Sequence, residues 1–168
     1  MTFETLIQNI AASDARIIAI DGNCASGKTT VAAALADHFH ATVFRMDDFF
    51  LRPEQRTPER RAEIGGNVDR ERFLEEVLLP LKAHHPVCYR RFDCRTMSLC
   101  PPVTVDPAER IIVEGSYALH PLLRPHYDLK ILLTVDPAVQ RERILLRESA
   151  ERAETFFSLS LPHKYRLL

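Results

Sequence analysis

The eight residues Gly22-Asn23-Cys24-Ala25-Ser26-Gly27-Lys28-Thr29 constrain this chain more than any other stretch. They satisfy the pattern G-x-x-x-x-G-K-[ST] at every fixed position, and their flanks suit it. Residues 16–21 form a short isoleucine-rich run of the kind seen in strands buried on both faces. Residues 29–39, with Ala32, Ala33, Ala34 and Leu35, read as a helix. Glycines let the backbone turn tightly, so that successive N–H groups converge on an anion. The helix that follows aims the positive end of its dipole at the same place. The expectation is a cradle for the phosphates of ATP with Mg²⁺. Lys28 reaches the β- and γ-phosphates in it and the Thr29 hydroxyl ligates the metal. Thr30 adjoins the loop and is counted with the nucleotide contacts, although alone it reads as an ordinary helix residue.

Phosphate affinity has to be local, because 22 basic residues face 23 acidic ones and leave a formal net charge of -1. That balance gives no global basic field to recruit nucleic acid or an anionic membrane. There is no apolar run of about 18 residues to span a bilayer. The first ten residues hold Glu4 and no Lys or Arg, unlike a signal peptide. Cys24, Cys88, Cys94 and Cys100 form no Cys-x-x-Cys pair and have no histidine at finger-like spacing. They read as reduced thiols of a cytoplasmic chain. A small-molecule partner is expected, with no nucleic acid and no membrane; the oligomeric state stays open, a homo-oligomer included.

The rest of the chain alternates the two periodicities. Residues 41–46, 110–113 and 129–135 read as further buried strands, and residues 69–83 as a helix with Phe73, Leu74, Val77, Leu78 and Leu81 on one face. Asp69 suits the cap of that helix. Asp136-Pro137 marks another helix start. This order predicts an α/β chain of P-loop NTPase type, three-layered α/β/α around an open, mainly parallel sheet. At 168 residues and 46% hydrophobic content it should form one domain over residues 1–168. Residues 51–67, charged and containing Pro53, Pro58 and Gly65-Gly66, read as a mobile surface segment. Residues 84–107 read as short strands and turns over the site. Both stretches, with residues 141–155, are the expected substrate-side or lid segments.

In open parallel sheets ligands sit beyond the carboxyl ends of the strands, so acidic residues there carry weight. Glu114 directly follows Ile111-Ile112-Val113. A carboxylate there is costly unless it meets a cation, which a metal beside the loop would supply; a solvated strand terminus is the plain alternative. Asp47 and Asp48 follow residues 41–46. Phosphoryl transfer to a hydroxyl needs a base near the γ-phosphate, and Asp47 is the better placed of the two. A capping pair without chemistry is the alternative.

These motifs in this order resemble the uridine kinase family, which includes nicotinamide riboside kinases within the wider group of P-loop kinases. The likeness is carried by the phosphate loop, Met46-Asp47-Asp48-Phe49-Phe50, Asn67-Val68-Asp69, Ile112-Val113-Glu114-Gly115 and Tyr127-Asp128-Leu129-Lys130, and spans residues 16–148. The resemblance implies that Asp47 is the catalytic aspartate and that Asp69 holds sugar hydroxyls. It gives Glu114 the metal-site role and makes Arg143 and Arg147 lid arginines that meet the transferring phosphate. Spaced four apart, the two arginines share a helix face, and a solvated basic face would look the same.

The sequence also departs from that family. Where uridine kinases carry a tyrosine-aspartate-phenylalanine segment followed by a histidine, this chain reads Tyr89-Arg90-Arg91-Phe92-Asp93-Cys94-Arg95. Tyr89, Arg90 and Arg91 are therefore candidate contacts to an acceptor, an acidic one included, against the alternative of a solvated β-ribbon. The tail from Arg152 is short, with Phe156, Phe157, Leu159 and Leu161 expected to dock on the core. The implied activity is transfer of the γ-phosphoryl group of ATP to a hydroxyl of a nucleoside-like acceptor. Its rivals are a P-loop kinase for a vitamin, sugar or acid, and a nucleotide-hydrolysing switch. Against the switch, the chain has no Asn-Lys-x-Asp signature.

Overall fold

A computed structural model of the chain describes residues 1–147; the expected docking of Phe156, Phe157, Leu159 and Leu161 lies outside the described residues, as does the end of the 141–155 segment. Four parallel strands form the central sheet: β1 (Ile17–Gly22), β2 (Thr42–Arg45), β7 (Ile111–Glu114) and β8 (Leu129–Leu133), in the spatial order β2-β7-β1-β8. The register aligns Arg45, Glu114 and Ile20 across three strands, so β2 and β7 finish together while β1 runs on to Gly22. All six residues of β1 and all four of β7 are buried, as near-continuous apolar runs require.

Alternation along β1 divides the core in two. Ile17 and Ala19 face a cluster with Phe44, Ile111 and Val113. Against it pack Phe73, Val77, Leu78 and Leu81, from a helical stretch of α4 (Arg70–Phe73), a π-turn (Leu74–Leu78) and α5 (Leu79–Lys82). Ile18 and Ile20 face the other way, onto α1 (Phe3–Ala11) through Leu6 and Ile10 and α2 (Lys28–Phe39) through Ala32 and Leu35. The result is the three-layer α/β/α arrangement with an open parallel sheet.

The π-turn interrupts what the periodicity predicts as one helix over 69–83. Pro80 has no N–H to give to the preceding turn and its ring crowds the carbonyl four residues back, so the chain widens by one residue before it. Asp69 caps the stretch, its Oδ1 accepting from Arg72 N at 3.2 Å. Asp136 likewise accepts from Ala138 N at 2.8 Å at the start of α6 (Pro137–Arg147). Helix α1, which the sequence reading passed over, is capped by Thr2 and closes one layer.

Residues 51–67 hold more structure than their composition predicts. They contain a 3-10 turn (Pro53–Gln55) and α3 (Pro58–Ala62). Arg60 donates to Glu71 at 2.6 Å and to Val68 O at 3.0 Å, and Arg70 pairs with Glu63, tying the segment to α4. Residues 84–107 form short strands and turns as expected: β3 (Val87–Tyr89) pairs antiparallel with β6 (Val103–Val105), and β4 (Phe92–Asp93) with β5 (Ser98–Leu99).

Candidate active site

The phosphate loop leaves β1 at Gly22 and enters α2 at Lys28. Three of its residues have positive φ: Gly22 at 154°, Ala25 at 59° and Gly27 at 92°. At Gly22 a Cβ would run into the carbonyl of Leu133 and stand 2.7 Å from Ser26 Oγ, so only glycine fits. Gly27 is the N-cap of α2 and has no side chain to satisfy the first-turn amides, which leaves them to an anion. Asn23 Oδ1 and Ser26 Oγ are buried in the loop without a partner among the described residues. Lys28 Nζ donates to Asn23 O at 2.8 Å, folding the ammonium over the cradle. An array of turned amides, orphaned polar atoms and one ammonium suits a polyphosphate.

Helix α6 braces the loop from outside. Gln140, buried, donates from Nε2 to Cys24 O at 2.8 Å, and Arg143 Nη1 donates to Ala25 O at 3.1 Å. Arg147 Nη2 lies 3.2 Å from Cys24 Sγ. Gln140 escaped the sequence reading, though its spacing of three and seven from the two arginines puts it on their face.

A cleft of about 730 Å³ opens beside the loop, and Thr29, Thr30, Asp47, Glu114, Arg143 and Arg147 all line it. Thr29 Oγ1 donates to Glu114, at 3.4 Å from Oε1 and 3.3 Å from Oε2. Glu114 is 5% exposed; burial pushes its carboxyl up, the Asp47 charge adds to this, and Lys28, Arg45 and the Thr29 bond oppose it. A buried carboxylate beside a hydroxyl is an oxygen donor set for a hard divalent cation such as Mg²⁺. Asp47 stands exposed on the 3-10 turn Met46–Asp48 that follows β2, with Met46 packed under Gly115. Asp48 turns the other way, half-buried, its carboxyl raised by burial and lowered by Arg91 and Arg45.

The far wall comes from a strand-like pairing of residues 49–51 with residues 67–69. Phe50 bridges Val68, Leu51 N donates to Asn67 O at 3.0 Å and Asp69 N to Phe49 O at 2.7 Å. Phe49 anchors it in the core, edge-on to Phe73 at 4.9 Å and stacked on Tyr89 at 5.4 Å. Phe50, Asn67 and Val68 thereby reach the cleft, and Tyr117 joins them from the turn after β7. Asp69 itself is 1% exposed, with one oxygen on the α4 cap and the other accepting from Gln55 Nε2 at 3.0 Å.

Tyr89, Arg90 and Arg91 are not among the residues that line the cleft. Tyr89 packs on Phe44 and Phe49, and Arg90 donates to Cys100 O at 2.7 Å and Leu99 O at 3.1 Å, bracing its own ribbon. Arg91 is exposed and faces the Asp48 charge.

A parallel sheet covered on both faces, with a glycine-rich phosphate loop after β1, a carboxylate at the end of the neighbouring β7 and another just after β2, defines an α/β P-loop NTPase. Sequence comparison narrows the class. The chain matches the Phosphoribulokinase / Uridine kinase family over residues 17–159. A uridine kinase of Geobacillus kaustophilus (strain HTA426) is 31% identical over 156 residues, covering 85% of this chain and 72% of that protein. A uridine kinase of Latilactobacillus sakei subsp. sakei (strain 23K) is 28% identical over 148 residues, with 83% and 70% covered. Among solved structures, a candidate fructose transport system kinase from Silicibacter sp. TM1040 superposes with a TM-score of 0.78 at 24% identity, over 99% of this chain and 94% of that one. A candidate uridine kinase from Bacillus stearothermophilus gives 0.68 at 22% identity, over 94% and 91%. The chain belongs to the Phosphoribulokinase / Uridine kinase family and is a P-loop kinase. No helix among the described residues is long and apolar enough to cross a membrane.

Proposed function

We propose that this kinase transfers the γ-phosphoryl group of ATP to a hydroxyl of a nucleoside-like acceptor. The observation that carries this reading is the convergence of Lys28, Thr29, Glu114 and Asp47 on one cleft beside the phosphate loop. ATP supplies the transferable group and Mg²⁺ the charge that offsets its oxygens; Thr29 and Glu114 would hold the metal. Lys28 supplies positive charge to the phosphates, and the loop amides fix them in place. Arg143 and Arg147, on the same side of the cleft, add charge for the group in flight. Asp47 orients the acceptor hydroxyl and takes its proton. Asn67, Phe50 and Tyr117 bound the acceptor, and Asp69 acts from behind them, holding the pairing of residues 49–51 with 67–69. Residues 51–67, which end at the Asn67 wall, are the acceptor-side segment.

Placing reactants in line is most of what phosphoryl transfer asks of a protein, and these parts supply it. A second acceptor class, a vitamin, sugar or acid, is favoured by one observation. The segment where uridine kinases carry their pyrimidine contacts is spent here on packing and on its own ribbon. A panel of nucleosides, nucleoside analogues, sugars and pantothenate-like acids, incubated with ATP and Mg²⁺ and read by mass spectrometry, separates the two. A phosphorylated nucleoside as best product supports the first reading. A phosphorylated acid or sugar supports the second, and ADP formed equally with no acceptor overturns both.

A further inference from the structure

Of the buried carboxylates Asp21, Asp69 and Glu114, phosphoryl transfer as described gives Asp21 no task. Asp21 lies one residue before the end of β1, 3% exposed, in a strand half of whose residues are isoleucine. Its Oδ1 accepts from Gly22 N at 2.6 Å and from Tyr117 N at 3.2 Å, and its Oδ2 accepts from Leu119 N at 2.9 Å. One side chain thus joins the first residue of the phosphate loop to the turn that follows Glu114, 96 and 98 residues away along the chain.

That turn has a conformation that its own residues do not favour. Gly115 has φ 144° and Tyr117 φ 69°, a left-handed state that a bulky L-residue rarely adopts unless its surroundings impose it. The Tyr117 ring is wedged against Gly65, where a Cβ would stand 2.9 Å from Cγ. Tyr117 and Ser116 line the cleft between the phosphate loop and the Asn67 wall. Burial raises the Tyr117 phenol, and the Asp21 charge adds to it.

We propose that Asp21 is a positioning residue that registers the Tyr117 wall against the phosphate loop. It sets the distance between the bound phosphates and the acceptor hydroxyl; this rests on the kinase reading above. A carboxylate is required because both oxygens must accept. Asparagine would turn an N–H₂ toward one of the backbone N–H groups and leave it unpaired.

The test compares wild type with Asp21→Asn in two ways. Hydrogen exchange, with and without Mg²⁺ and a non-hydrolysable ATP analogue, needs no acceptor. The Tyr117 and Leu119 amides should exchange slowly in wild type and at least about tenfold faster in the variant. Residues 22–29 should still gain protection from the analogue in both. Unchanged exchange over 115–119 in the variant, or loss of analogue protection over residues 22–29, overturns the proposal. If the variant does not fold, fast exchange of the Tyr117 and Leu119 amides in wild type does so, and slow exchange sustains it. The second arm is steady-state kinetics with uridine. A kcat lowered by roughly tenfold to a hundredfold with KM for ATP nearly unchanged is expected for misplaced reactants. An unchanged kcat, or a parallel loss of ATP affinity, contradicts the positioning role. If wild type turns over no acceptor, the kinase reading falls while the exchange arm still answers.

Discussion

Thr29 Oγ1 lies 3.3 Å from Glu114 Oε2, joining the first turn of α2 to the end of β7 across 85 residues of chain. Neither group alone is more than a helix hydroxyl and a strand-end acid; together they make an oxygen pair beside the phosphate cradle. Glu114→Gln keeps the size and the hydrogen bond but removes the charge that offsets a divalent cation. Turnover at low Mg²⁺ should fall more than about tenfold, with part recovered as Mg²⁺ is raised. Initial rates across a Mg²⁺ titration check this, and an unaltered Mg²⁺ dependence would refute the metal assignment.

Of the two carboxylates that line the cleft, Asp47 is the exposed one and Glu114 the buried one. Asp47→Asn should lower phosphoryl transfer by roughly 10²- to 10⁴-fold, the usual worth of a general base. ATP affinity should stay within a few-fold, since the phosphates are held by the loop. Near-native turnover in the variant would show that another group takes the proton.

Asp48 titrates against the fold. Burial holds its carboxyl above the ordinary 3.8, Arg91 and Arg45 only partly opposing it. The native chain therefore binds this proton more tightly than the unfolded chain. The contribution of Asp48 to stability is best below 3.8, falls as pH rises through its folded value, and is flat beyond. Asp48→Asn should raise the melting temperature at pH 7, on the order of a degree. The gain should vanish as pH drops below 3.8. Melting curves of both proteins across pH decide it; a loss of stability at pH 7 would mean that the charge is held by Arg91 and Arg45 at a net profit.

Gly66 lies within the turn that delivers Asn67 to the cleft, its N donating to Glu63 O at 3.0 Å. A Cβ there would collide with the Arg60 carbonyl and stand 3.0 Å from that of Glu63, both backbone atoms. Gly66→Ala should cost roughly 1–3 kcal/mol as overpacking does. Thermal melting should show this as a fall of several degrees, roughly 2–4 °C per kcal/mol in a domain of this size. An unchanged midpoint would mean that α3 shifts freely, contrary to its Arg60 anchorage.

The sheet and the phosphate loop were legible because their signals are local. Isoleucine-rich runs mark strands buried on both faces, and glycine spacing with Lys28 and Thr29 has few other uses. Strand-end logic reached Asp47 and Glu114 for the same reason, since the carboxyl end of a strand can be read from where its apolar run stops. Asp69 shows the limit. A carboxylate before an amphipathic helix looks the same whether it caps that helix or contacts a ligand, and its second partner, Gln55, comes from 14 residues earlier, where the helix start does not announce it. Arg90 was equally ambiguous, because the carbonyls of Leu99 and Cys100 that it serves are brought near by a ribbon whose pairing is not encoded at Arg90 itself. Asp21 and the left-handed Tyr117 depend on each other across 96 residues, so nothing near either one announces the other. Pro80 is the local sign of the π-turn, because its missing N–H sets it against the helical stripe.

Everything in the catalytic reading depends on the residues from Gly22 to Thr29 holding the phosphates with the Lys28 ammonium over them. Calorimetric titration of ATP with Mg²⁺ into wild type and Lys28→Ala tests this without any acceptor. One nucleotide per chain in wild type, bound at least about tenfold more weakly by the variant, is the predicted result. Equal affinity in the two proteins would contradict it.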